Sequence, residues 1–157
     1  MMILGVLALS LCVTGDVLAE KEHKHSEACT HEEKIKSPNG GRMIELEPYH
    51  VEFYATPERM IQVRFYDHDM KPVQLDQAQI QVVAQAESGT QKYDLLLKEG
   101  VFLSDQLLPE GESYHLVLRI KTDSESSFKN IRFLFDPSIC SDCKLGEYAC
   151  TCEGHNH

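Results

Sequence analysis

Between Arg42 and Phe135 the chain repeats one pattern: short runs in which apolar and polar residues alternate, separated by residues that turn the backbone. Val51, Phe53 and Ala55 alternate with His50, Glu52 and Tyr54, and Ile61, Val63 and Phe65 alternate with Gln62 and Arg64. Ile80, Val82 and Ala84 follow against Gln79 and Gln81, then Tyr93, Leu95 and Leu97. Tyr114, Leu116, Leu118 and Ile120 stand against His115, Arg119 and Lys121, and Ile131, Phe133 and Phe135 close the series. A period of two places every second side chain on one face, which suits a half-buried antiparallel strand and not a helix. The interruptions SPNGGR, TPE, DHDMKP, ESGTQ, KEG and PEGE supply Pro, Gly, Asn or Asp where the chain must reverse. With RMIEL at Arg42 to Leu46 and VFLS at Val101 to Ser104, the pattern predicts seven or eight strands. The fold class expected is all-β, an immunoglobulin-like antiparallel β-sandwich over residues 37–136, with a small open barrel as its nearest relative in pattern. No Trp and no Cys lies in this stretch, so packing alone must hold it.

The segments on either side differ in composition. Residues 1–19 carry an apolar run from Ile3 to Val13 and end in Val17-Leu18-Ala19, and they read as a signal peptide cleaved near Ala19. That run is shorter than the roughly 20 residues of a spanning helix. The expected localisation is therefore periplasmic or secreted, where thiols tend to become disulfides. Residues 20–36 form a charged arm holding His23, His25, Cys29 and His31, read either as a flexible solvated segment or as additional ligands for Cu or Zn. A formal charge of −10 argues against nucleic acid and anionic membrane as partners, and suits attraction of cations.

The chain ends in CSDCKLGEYACTCEGHNH. Cys140, Cys143, Cys150 and Cys152 have the spacing C-x2-C-x6-C-x-C, with His155 and His157 behind them as possible additional ligands. A tight turn lets both sulfurs of C-x2-C point inward, Gly146 is available for the return, and side chains at i and i+2 of an extended stretch share a face. Four thiolates suit Zn(II) or Cu(I) and serve calcium or magnesium poorly. The competing reading is a structural or interaction domain without metal, its tail of residues 137–157 stapled by two disulfides; five cysteines follow Ala19, and an odd number cannot all pair within one chain. A thioredoxin-type role for CSDC wants the first cysteine at a helix N-terminus, whereas this one follows a strand and Asp136-Pro137. His50, His68 and His115 read as surface residues of the sheet, and Gly40-Gly41 before Arg42 as a turn, with recognition of an anion as the alternative. No hydrolase elbow, phosphate loop, HExxH helix or dinucleotide fingerprint is present, so the expectation is a protein that is not an enzyme.

SPNGGR at Ser37 to Arg42, EPYHVEFYATPERMIQVRFYD at Glu47 to Asp67 and CSDCKLGEYACTC at Cys140 to Cys152 carry a resemblance. The chain resembles a group of small exported bacterial proteins that pair a β-sandwich with a CxxCKxxEYACxC tail and are associated with heavy-metal efflux systems of the resistance-nodulation-division type. That resemblance implies periplasmic metal handling with Cys140, Cys143, Cys150 and Cys152 as ligands, and Lys144, Glu147 and Tyr148 as their matching surroundings. It also implies a membrane efflux complex, or its periplasmic adaptor, as partner. The sandwich pattern is similar to that of domains in copper-handling periplasmic proteins.

Overall fold

The computed structural model describes residues 35–152; residues 1–34, read above as a signal peptide and most of the arm, and residues 153–157 fall outside it. Nine strands follow in chain order: β1 (Arg42–Leu46), β2 (Tyr49–Ala55), β3 (Met60–Tyr66), β4 (Pro72–Val73), β5 (Gln79–Ala86), β6 (Gly89–Lys98), β7 (Val101–Leu107), β8 (Tyr114–Lys121) and β9 (Lys129–Phe135). Every pairing is antiparallel, in the order β1-β2-β3-β7-β6-β5-β8-β9, with β4 added on β3. The all-β antiparallel class expected from the alternation is thus observed. The sheet is continuous and curled into a half-barrel.

The curl turns on β6. Its first part, from Gly89 to Leu95, pairs with β5, and its last residues, Leu96 to Lys98, pair with β7. One strand therefore belongs to both walls, and the apolar faces of β1-β2-β3-β7 and of β5-β8-β9 enclose one core. Phe53 on β2 meets Phe133 and Phe135 on β9 edge-on, with ring centroids 5.2 and 6.3 Å apart. Val63, Val82, Leu116 and Leu118 fill the interior at 0% exposure. The register of β3 on β7 shifts between Met60 and Gln62, and the Ser104 hydroxyl covers the irregularity: it accepts the Ile61 N–H at 2.9 Å and donates to the Gln106 carbonyl at 2.8 Å.

Glu52 on β2 departs from the alternation, as does Tyr66 on β3, buried beside Phe65. Glu52 was expected on the polar face with His50 and Tyr54, yet it is fully buried. Its side chain does leave β2 on that face, but the 37–41 loop folds over it. The carboxylate accepts the Asn39 N–H at 2.9 Å, the Asn39 side-chain amide at 2.7 Å, the Tyr66 hydroxyl at 2.7 Å and the Gly41 N–H at 3.2 Å, together with the Ser37 hydroxyl. Gly41 is required for this closure, because a Cβ there would stand 2.4 Å from the Phe53 carbonyl oxygen. Burial alone pushes the Glu52 carboxyl up, but the hydrogen bonds from Ser37, Asn39 and Tyr66 outweigh it and hold the pKa below its ordinary 4.5.

A pKa lowered in the folded state adds stability above the unfolded value, and that stability is lost as pH falls through the folded value. Urea midpoints should therefore decline from just below pH 4.5 downward in the native chain, and Glu52→Gln should flatten that decline. At neutral pH Glu52→Gln should cost about 1–3 kcal/mol, since an amide presents a donor to groups that are themselves donors. An unchanged acid limb in the variant would show that the carboxylate does not hold the loop.

Candidate metal centre

After β9 the chain crosses the open side of the curl. Asp136 organises the exit by accepting the Ser138 N–H at 2.9 Å, and Ile139 then pairs antiparallel with Gly146 in an isolated bridge. Between them the chain closes a tight loop: the Cys140 N–H donates to the Leu145 carbonyl at 2.8 Å and the Lys144 N–H returns to the Cys140 carbonyl at 3.1 Å. The turn needs one left-handed residue, and Lys144 (φ 63°) supplies it. Gly146, expected to make the turn, serves another purpose. A Cβ there would lie 2.6 Å from the Tyr148 ring, so the glycine lets that ring fold back across the chain.

Tyr148 sits in a short 3-10 turn, Glu147–Ala149, and is 5% exposed within the main core. Its ring lies 4.8 Å from that of Phe135 and 6.0 Å from that of Phe53. Its hydroxyl accepts the Ala55 N–H at 3.1 Å, its own N–H donates to the Asp136 carbonyl at 3.0 Å, and its carbonyl accepts from the Arg42 guanidinium at 3.0 Å. That guanidinium also lies over the Phe133 ring at 5.1 Å. Residues from β1, β2 and β9 thus grip one tyrosine, and the cysteine segment shares its anchor with the core.

This grip brings the four cysteines together. Their sulfurs all lie within 4.8 Å of one another. Cys150 stands 3.4 Å from Cys140 and 3.7 Å from Cys143, and Cys140 stands 4.0 Å from Cys152. A tetrahedral thiolate cage with Zn–S bonds of about 2.3 Å has S···S edges of about 3.8 Å, and these separations fall around that figure. All four are free thiols; Cys140 is fully buried and the other three are half-buried. The donor set and its spacing therefore suit a soft metal ion.

The crowding of the sulfurs shifts their acidities. The Leu145 N–H above all, and then the neighbouring thiols, hold the Cys143 thiol below its ordinary value despite burial. Cys152 is pushed up to about 12, chiefly by the sulfur of Cys150, with burial adding to it. At Cys150 the Cys152 N–H, 3.4 Å from the sulfur, favours the thiolate, but burial and the nearby Cys140 sulfur outweigh it and raise the pKa. Crowded thiols resist ionising together, and a bound cation reverses that resistance.

The candidate ligands His23, His25, Cys29, His31, His155 and His157 lie outside the described residues. His50 and His68 stack edge to face at 5.7 Å. The four cysteines form the one cluster of three or more metal-ligating side chains among the described residues. The sequence reading did not find the anchoring roles of Tyr148 and Arg42. A tyrosine between two cysteines of a tail reads as a surface residue until the tail is seen to cross the open sheet.

Comparison of the chain with protein-family models, with curated proteins and with solved structures finds no match in any of the three.

Proposed function

We propose that this is an exported, non-enzymatic metal-binding protein that holds Zn(II) or Cu(I) on Cys140, Cys143, Cys150 and Cys152. The observation that carries the reading is that all four sulfurs lie within 4.8 Å of one another, three of their separations being 3.4 to 4.0 Å, close to the edge length of a four-thiolate cage. In this reading the ion is cargo: the protein buffers it or delivers it to a heavy-metal efflux complex or its periplasmic adaptor. The half-buried Cys143, Cys150 and Cys152 support exchange with an acceptor, since an incoming thiol can reach sulfurs that are not fully covered. We read the two facing walls as a sandwich of immunoglobulin-like type, which Phe53 meeting Phe133 across the interior supports. The His-bearing arm of residues 20–36 precedes it and the cysteine-rich tail of residues 137–157 completes it.

Cobalt substitution tests the ligand set. Co(II) added to the reduced, metal-free chain should give the intense visible bands of a tetrahedral thiolate site, and both Zn(II) and Cu(I) should bleach them at one equivalent. Weak octahedral bands, or bands that survive in a chain lacking all four cysteines, would refute the assignment.

A further inference from the structure

Beside the cysteine loop runs a cleft of about 320 Å³, between the β2–β3 turn on one side and the segment from Pro137 to Gly146 on the other. Its walls are largely apolar, and Ile139 at its edge is 65% exposed although the bridge to Gly146 fixes its backbone. A rigidly held, exposed isoleucine next to a half-open cluster of sulfurs is apolar surface left uncovered by the fold.

The charge of this cleft opposes that of the chain. With 25 acidic and 15 basic residues the protein is strongly anionic, yet the charged residues lining the cleft are Arg59 and Lys144, and no carboxylate lines it. Arg59 pairs through one guanidinium nitrogen with Glu110 at 2.8 Å, a carboxylate whose side chain is 82% exposed. Its Nε is buried without an acceptor. A buried N–H of this kind is costly unless a ligand or water supplies an oxygen.

Resting on the metal assignment above, we propose that this cleft docks an acidic, apolar peptide segment of a metal acceptor and presents that segment's thiol to the cluster. The apolar side chains of the segment cover Ile139 and Leu145, and its carboxylates face Arg59 and Lys144. Transfer is then an exchange of ligands: the acceptor sulfur bonds to the ion as a half-buried cysteine sulfur leaves it, and the acceptor's thiol proton passes to the sulfur released. Fully buried Cys140 is the least accessible to such displacement.

The test uses the full chain loaded with Zn(II) and two synthetic thiol peptides, one combining leucine, cysteine and glutamate, the other with lysine in place of every glutamate. At low salt the acidic peptide should remove zinc about tenfold faster, with the preference shrinking as salt is raised. Arg59→Glu should erase the preference while zinc content measured before transfer stays at one per chain, Lys144→Glu should erase it in whatever fraction of the chain holds zinc, and Ile139→Ser should slow transfer to the acidic peptide. Equal rates for the two peptides, or a preference that survives both charge reversals, would overturn the docking proposal. A chain that retains no zinc would instead overturn the metal assignment.

Discussion

Cys140→Ser should weaken zinc retention by at least about 100-fold in a chelator competition, because groups that merely support metal ligands are already worth 10–100-fold. Cys140 is the member of the cluster that is fully buried, and its backbone closes the loop through hydrogen bonds to Leu145 and Lys144. A serine oxygen there replaces a soft donor with a hard one and shortens the reach to the ion. Metal-free stability should move much less, since the substitution is nearly isosteric and both backbone hydrogen bonds remain. Chelator competition and urea unfolding of the apo chain separate the two effects. If retention is unchanged, the buried sulfur is not a ligand.

Tyr148→Ala is the second large effect and links the site to the fold. Removing a ring this deeply buried should cost about 3–5 kcal/mol in the metal-free chain, and should also weaken metal binding by about tenfold or more as the strap between Asp136 and Cys150 loosens. Tyr148→Phe distinguishes packing from hydrogen bonding. It keeps the contacts with Phe135 and Phe53 but leaves the Ala55 N–H without its acceptor, at a cost of about 1–3 kcal/mol. Urea midpoints of the apo proteins measure the first effect and competition for Zn(II) measures the second. A Tyr148→Ala chain with native stability would show that the strap does not belong to the core.

These couplings mark where sequence reading succeeds and where it stops. Alternation revealed the strands because each buries one face: Ile61, Val63 and Phe65 on β3, and Tyr114, Leu116, Leu118 and Ile120 on β8, are all buried as the period of two requires. β4 escaped because two residues, Pro72 and Val73, are too few to display a period. The spacing of the cysteines pointed to their clustering, since the tight loop and the extended C-x-C are local structures. Three features depend on contacts distant in sequence and left no periodic trace. They are Glu52 under the 37–41 loop, Arg42 holding the carbonyl of Tyr148, and Tyr148 itself between Phe53 and Phe135. The SPNGG stretch was read as a turn, but its hydroxyl, amide and backbone donors are what a buried carboxylate requires.

Whether the four thiols hold one metal ion is read by native mass spectrometry of the chain purified without chelator, followed by thiol counting on the same sample. The expected result is a mass increment of one Zn or Cu that is lost on acidification, after which Cys140, Cys143, Cys150 and Cys152 all react with a thiol reagent. An apo mass lighter by about two hydrogens per cysteine pair, with these four residues unreactive until reduced, would mean the segment is stapled by disulfides and would contradict the claim.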